Sequence, residues 1–110
     1  MRARQRAHAR GGHPRFDPGD PLLDAPVHAT LDLHGCTAEE ARGLVRSFIE
    51  TAARRTPGAV LHVVTGRGRG SPGRPVLRGA VGTMLRGELA PRVADWSRDV
   101  DDGGFLVRLR

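Results

Sequence analysis

The sequence predicts an α/β domain of two layers, a four-stranded mixed sheet in the order β-α-β-α-β-β with both helices on one face. Three observations lead there. Residues 30–34 and 60–64 are short apolar runs, each leading through a glycine-containing segment into a helical periodicity. Two further short runs close the chain, separated by Asp101-Asp102-Gly103-Gly104, a turn composition that makes them an antiparallel hairpin or close neighbours. Right-handed crossovers that advance in one direction keep both helices on the same face and leave the other face open.

Each element has its own signal. In the first strand Leu31 and Leu33 alternate with Thr30, Asp32 and His34, so burying the leucines presents carboxylate and imidazole side by side on the open face. Thr37 and Glu40 form a capping box that opens a helix with the stripe Ala41, Leu44, Val45, Phe48, Ile49 and Ala52, which Pro57-Gly58 stops. Val60 to Val64 is a β-branched strand interrupted by His62, whose ring is expected to be hydrogen-bonded within or beside the sheet. Pro75 fits the first turn of a second helix with the stripe Val76, Leu77, Ala80, Val81, Met84 and Leu85, weakened by Gly79 and Gly82. Residues 92–97 and Phe105 to Leu109 supply the last two strands. Parallel first and second strands end at one edge, which brings His34-Gly35 and Thr65-Gly66 together as one site.

Composition divides the chain. Met1 to Arg15 holds five arginines and no acid, and Pro18-Gly19-Asp20-Pro21 reads as a linker, so residues 1–25 are expected to be a disordered arm and residues 26–110 the domain. The formal charge is +6 and all 18 basic residues are arginine. Guanidinium forks match phosphate oxygens, which favours a polyanionic partner over a lipid surface, although general solubility explains charge alone equally well. Cys36 is the single cysteine, which excludes an intramolecular disulfide; with no apolar signal or spanning segment, a cytoplasmic location is expected.

The run Thr65-Gly66-Arg67-Gly68-Arg69-Gly70 follows the second strand, where glycines let backbone N–H groups close on an anion and arginines supply charge. Gly68 to Gly73 matches the dinucleotide pattern G-x-G-x-x-G, but follows the second strand and contains arginines and a proline, so no nucleotide cofactor is inferred. Arg67, Arg69, Arg74 and Arg78 are candidate phosphate contacts, with Arg108 and Arg110 extending the basic surface. His28, His62 and Cys36 do not have zinc-ligand spacing. Trp96 is more simply a packing residue under the second helix than a base-stacking platform.

The strand motif Leu31-Asp32-Leu33-His34-Gly35 with Glu40-Ala41, the loop Thr65-Gly66-Arg67-Gly68 leading through Ser71-Pro72-Gly73 into Val76-Leu77-Arg78, and Gly103-Gly104 before Val107-Arg108-Leu109 together resemble the Smr (small MutS-related) domain, from about Pro26 to Arg110. The resemblance implies a two-layer α/β sandwich similar to the C-terminal domain of translation initiation factor three. It also implies DNA binding and nicking, or RNA cleavage. On it, Asp32 and His34 match the family's LDLH-type catalytic positions, and Thr65, Gly66, Arg67 and Gly68 its TGxG-type loop. These 110 residues hold no MutS ATPase region, so a mismatch-related role does not follow. The stretch before the last strand is also shorter than in many members, passing from Gly104 straight to Phe105.

The expected function is therefore nucleic-acid binding with endonuclease (nicking) activity on the backbone of DNA or RNA. Asp32 and His34 are the catalytic pair, and Thr65, Gly66, Arg67, Gly68, Arg69, Arg74 and Arg78 the nucleic-acid contacts. The alternatives are a non-catalytic module for branched or structured nucleic acid, in which Asp32 and His34 only brace the turn, and a protein-interaction adaptor. No resident cofactor is implied. Magnesium or manganese is the ion to test, and substrate phosphates and water would complete its shell around Asp32. No membrane partner is expected, and the oligomeric state is open, with a monomer as the default.

Overall fold

In the computed structural model the described residues are Leu22, 25–66, 74–99 and 103–110. The arginine-rich arm, most of the linker and the loop residues Arg67, Gly68 and Arg69 lie outside them, as does the Arg74 side chain. The order is β1 (Ala29–Asp32), α1 (Ala38–Arg55), β2 (Val60–Val64), α2 (Arg74–Arg86), a 3-10 turn at Ala90–Arg92, β3 (Val93–Arg98) and β4 (Gly104–Leu109). The strands form one sheet in the order β1-β2-β4-β3, with β1 and β2 parallel and β4 antiparallel to both its neighbours. The predicted mixed α/β sheet with two helices is thus what the chain forms. β4 passes through the middle, and the C-terminal ends of β1, β2 and β3 meet the N-terminal end of β4 at one edge.

Local chemistry accounts for the boundaries. Thr37 Oγ1 accepts from the Glu40 N–H at 3.1 Å while Glu40 Oε1 accepts from the Thr37 N–H at 2.9 Å, which satisfies two of the orphan donors at the start of α1. Glu39 and Glu40 in its first turn and Arg54 and Arg55 in its last complement the helix dipole. The Thr56 N–H closes on the Ala52 carbonyl at 2.7 Å, and Gly58 turns the chain away with φ 85°.

The main core lies between helices and sheet: Leu31, Leu61, Val63, Phe105 and Val107 pack against Val45, Phe48 and Ile49 of α1 and Leu77, Val81 and Leu85 of α2. Two residues assigned to the helix stripes are exposed, Leu44 at 36% and Val76 at 59%. Leu77, Val81 and Leu85 lie on one axial line toward the sheet, and Val76 is rotated about 100° from it, on the flank. Midway along α1, Arg46 Nε donates to Glu88 Oε2, just past the end of α2, at 2.7 Å and Nη2 to Oε1 at 3.2 Å. That contact raises the Arg46 pKa and holds the Glu88 carboxyl below its usual range. Whatever the pair adds to stability is present at neutral pH and is lost as acid protonates Glu88.

The face opposite the helices is not open. Strand alternation sends Val60 and Leu106 there, and Leu22 (1% exposed) and Val27 cover them in a second apolar cluster. Leu22 lies upstream of the boundary expected at Pro26. Thr30, expected to be exposed with Asp32 and His34, is half-buried beneath this cover. No helix among the described residues is long and apolar enough to cross a membrane.

Two glycines test the backbone account. A methyl group at Gly104 runs into the Val63 carbonyl oxygen and comes within 3.0 Å of Val64 Cα. Gly104→Ala is therefore expected to lose about 2–4 kcal/mol in urea unfolding, since neither neighbour is a movable side-chain tip. Gly43, inside α1 with nothing within 4 Å of its absent Cβ, sets the opposite case: Gly43→Ala is expected to gain about 0.5–1 kcal/mol in the same assay.

Candidate nucleic-acid site

Asp32 ends β1, and the next residues turn sharply. The Cys36 N–H donates to the Leu33 carbonyl at 3.0 Å, and Gly35, third in this four-residue turn, has φ 84°, a conformation that favours glycine. His34, second in the turn, is thrown outward. Asp32 Oδ1 accepts from the His34 backbone N–H at 3.0 Å and contacts His34 Nδ1 at 3.1 Å. A carboxylate oxygen accepts, so the contact suits the neutral ring with its proton on Nδ1 and a lone pair on Nε2. The side chains are 77% (His34) and 56% (Asp32) exposed, which leaves the pair open to a large substrate.

On the neighbouring strand, Thr65-Gly66 follow the end of β2, and geometry gives these residues a task the sequence did not suggest. The Gly103 carbonyl accepts from the Thr65 N–H at 2.8 Å, the Gly66 N–H at 3.1 Å and the Thr65 hydroxyl at 3.2 Å. Both residues are buried, and Gly66 has φ 133°. Thr65 and Gly66 are thus tied to the Gly103 turn, with both amides and the hydroxyl donating to one carbonyl. Gly103 is itself held, its N–H donating to Asp99 Oδ1 at 3.0 Å. The other oxygen of Asp99 meets His62 Nε2 at 2.8 Å, with the side chains only 9% (His62) and 7% (Asp99) exposed.

A buried Asp–His pair therefore holds, through Gly103, the residues that follow β2, the strand paired with the one that carries Asp32. Sequence reasoning expected His62 to be hydrogen-bonded but missed Asp99 and Gly103. The signal for them was a histidine inside an apolar strand, which requires a polar partner from elsewhere in the chain. Thr30 Oγ1, His62 Nδ1 and Ser97 Oγ are buried with no hydrogen-bond partner among the described residues, and all lie on the face covered by Leu22 and Val27.

Cys36 sits near the pair with its thiol pKa pushed up, first by burial and then by the negative charges of Glu40 and Asp32. It is a thiol at neutral pH, unsuited to act as a nucleophile. Among the described residues no three His, Cys, Asp or Glu side chains converge as a metal site. A divalent ion at Asp32 would take most of its ligands from phosphate and water.

The other expected contacts divide. Arg74 begins α2 and Arg78 follows in the next turn, half-buried. Arg108 and Arg110 stand at the far end of β4, at the opposite edge from Asp32, and do not extend the site. Trp96 packs edge-to-face on Phe105 with centroids 5.5 Å apart, as its expected packing role requires.

His62→Ala removes the ring from the buried carboxylate and is expected to cost about 2–4 kcal/mol of stability. Amide exchange at Thr65 and Gly66 should accelerate with it. Unchanged protection at those two amides would show that Gly103 is held without the pair.

No curated protein matches the chain. The model of the Smr domain matches residues 31–110. That span begins at the β1 leucine before Asp32, takes in both helices and the Gly103 turn, and ends with the chain. The chain therefore belongs to the Smr domain family, a nucleic-acid-binding, nuclease-like family.

Proposed function

We propose that this chain is an endonuclease that nicks the phosphodiester backbone of DNA or RNA at the Asp32–His34 pair. The observation that carries the reading is the Nδ1 contact at 3.1 Å, which leaves Nε2 as a proton acceptor on an exposed ring. Nε2 takes the proton from the attacking oxygen, water on DNA or the neighbouring 2′-hydroxyl on RNA, and the Asp32 carboxylate stabilises the imidazolium that forms. The protonated ring then donates to the leaving oxygen.

Charge that builds on the phosphate falls to the arginines. Arg67 and Arg69 follow Gly66 in sequence, and Gly66 is held on Gly103 at the edge where β1 also ends, which supports a phosphate-contacting role for both. Gly68 between them lets backbone approach the anion. Arg74 and Arg78, in the first turns of α2, contact the flanking phosphates. The arginine arm from Arg2 to Arg15 adds a sequence-independent hold on the backbone.

A second reading, a module that binds structured nucleic acid without cutting it, draws on the solvent exposure of the pair, since catalytic groups gain strength when water is excluded. Supercoiled plasmid and structured RNA, each with and without magnesium or manganese, separate the two. Wild type is expected to cut one of them. Asp32→Asn is expected to lose at least about 100-fold in cutting rate while binding as tightly or more tightly, because it removes a negative charge beside phosphate. Cys36→Ser is expected to cut like wild type. Equal binding with no cutting by any protein would establish the binding module instead.

A further inference from the structure

Gly79 and Gly82 weaken α2 from inside, and nothing in the site described so far requires them. Both border a hollow of about 160 Å³ between α2 and the outer strand β3. An absent Cβ at Gly79 meets nothing within 4 Å, and one at Gly82 would meet only the tip of Arg86, with Nη1 at 3.2 Å. Helical side chains point back toward the helix N-terminus, so Arg86 lies along the surface that Gly82 leaves bare and brings its guanidinium to the hollow. Arg78 and Arg98 line the same space, and Trp96, steadied by Phe105, forms its wall.

Three arginines and an indole around a space this small suit part of one nucleotide. Whole small-molecule ligands usually occupy roughly 300–1,000 Å³. Guanidinium forks match phosphate oxygens, and an aromatic face accepts any base. Location supports a strand over an isolated ligand. Arg98 is the last residue of β3, whose C-terminal end shares the sheet edge with Asp32 and Thr65, and Arg78 lies in the early turns of α2, the helix that follows the glycine–arginine loop.

We propose that this hollow is a second contact for the nucleic acid, holding one unpaired nucleotide of a single strand that continues from the Asp32–His34 edge. Its phosphate lies among Arg78, Arg86 and Arg98, and its base packs on Trp96. The base must be unpaired, because a base inside a duplex presents no face to a side chain. The glycines in α2 then have a purpose, since any side chain at those positions would fill or reshape the hollow. This inference rests on the nucleic-acid reading of the chain but not on its cutting activity.

Trp96 is the only tryptophan, so its emission reports on this place alone. A short oligothymidylate, titrated into the full chain, is expected to quench that emission in parallel with the anisotropy change of a labelled copy. Arg86→Gln with Arg98→Gln is expected to weaken binding about tenfold and to flatten the salt dependence by about 0.7, the slope that one phosphate on a single strand contributes. Gly82→Ala, which raises helix propensity and contacts only a flexible arginine tip, keeps the fold and is expected to reduce the quenching. Binding with unchanged Trp96 emission, or with wild-type affinity in the double variant, would overturn the site while leaving the nucleic-acid reading intact. Equal quenching by a mononucleotide at the same concentration would identify a free-nucleotide pocket and overturn the strand assignment. Absence of any anisotropy change with wild type would overturn the site alone if plasmid or structured RNA still binds, and would overturn both if neither does.

Discussion

The Gly103 carbonyl is the point on which the edge where the strand ends converge depends. It draws the Thr65 and Gly66 amides and the Thr65 hydroxyl onto one oxygen, and so fixes where β2 ends and where the glycine–arginine loop begins. Two constraints keep it there. Gly104 lies so close to the Val63 carbonyl that no side chain fits, and the Gly103 N–H is held by a buried carboxylate. A network of this kind is strong only when its members are satisfied, because a buried polar group without a partner costs as much as the bond it would have made.

Two Asp–His pairs occupy neighbouring parts of the molecule, and their surroundings separate their roles. The His62 and Asp99 side chains are almost closed to solvent, and there the contact holds a turn in place. His34 and Asp32 stand at the start of α1 in full contact with solvent, where the same contact fixes a tautomer and aims a lone pair outward. Strand alternation does not distinguish them, since Asp32 and His62 both belong to the face away from the helices. The N-terminal segment makes the difference, covering the middle of that face and leaving its edge bare.

What could be read directly was what is local. The Thr37–Glu40 capping box, the alternation around Leu31 and Leu33, and the breaks at Pro57-Gly58 and Gly103-Gly104 act over a few residues and translate into α1, β1 and their ends. Adjacency of the His34 and Thr65 segments also followed, because parallel neighbours joined by a crossover must end at one edge. Asp99 was hidden because its partner His62 lies 37 residues away in the chain and only strand order brings them together. The bonds of Thr65 and Gly66 to Gly103 were hidden for a different reason. A glycine followed by arginines reads as an anion cradle, while the acceptor that claims both amides sits in another turn altogether. Leu22 was hidden among prolines and acids whose composition reads as a linker, although together with Val27 it covers Val60 and Leu106.

The most direct test is to map a bound oligonucleotide on the full chain by amide NMR, using Asp32→Asn so that the strand stays whole. The account predicts that the shifted amides cluster at residues 34–36, 65–66 and 103–104, the converging ends of the strands. Shifts confined to the surface around Arg46 and Glu88, with that edge unmoved, would contradict it.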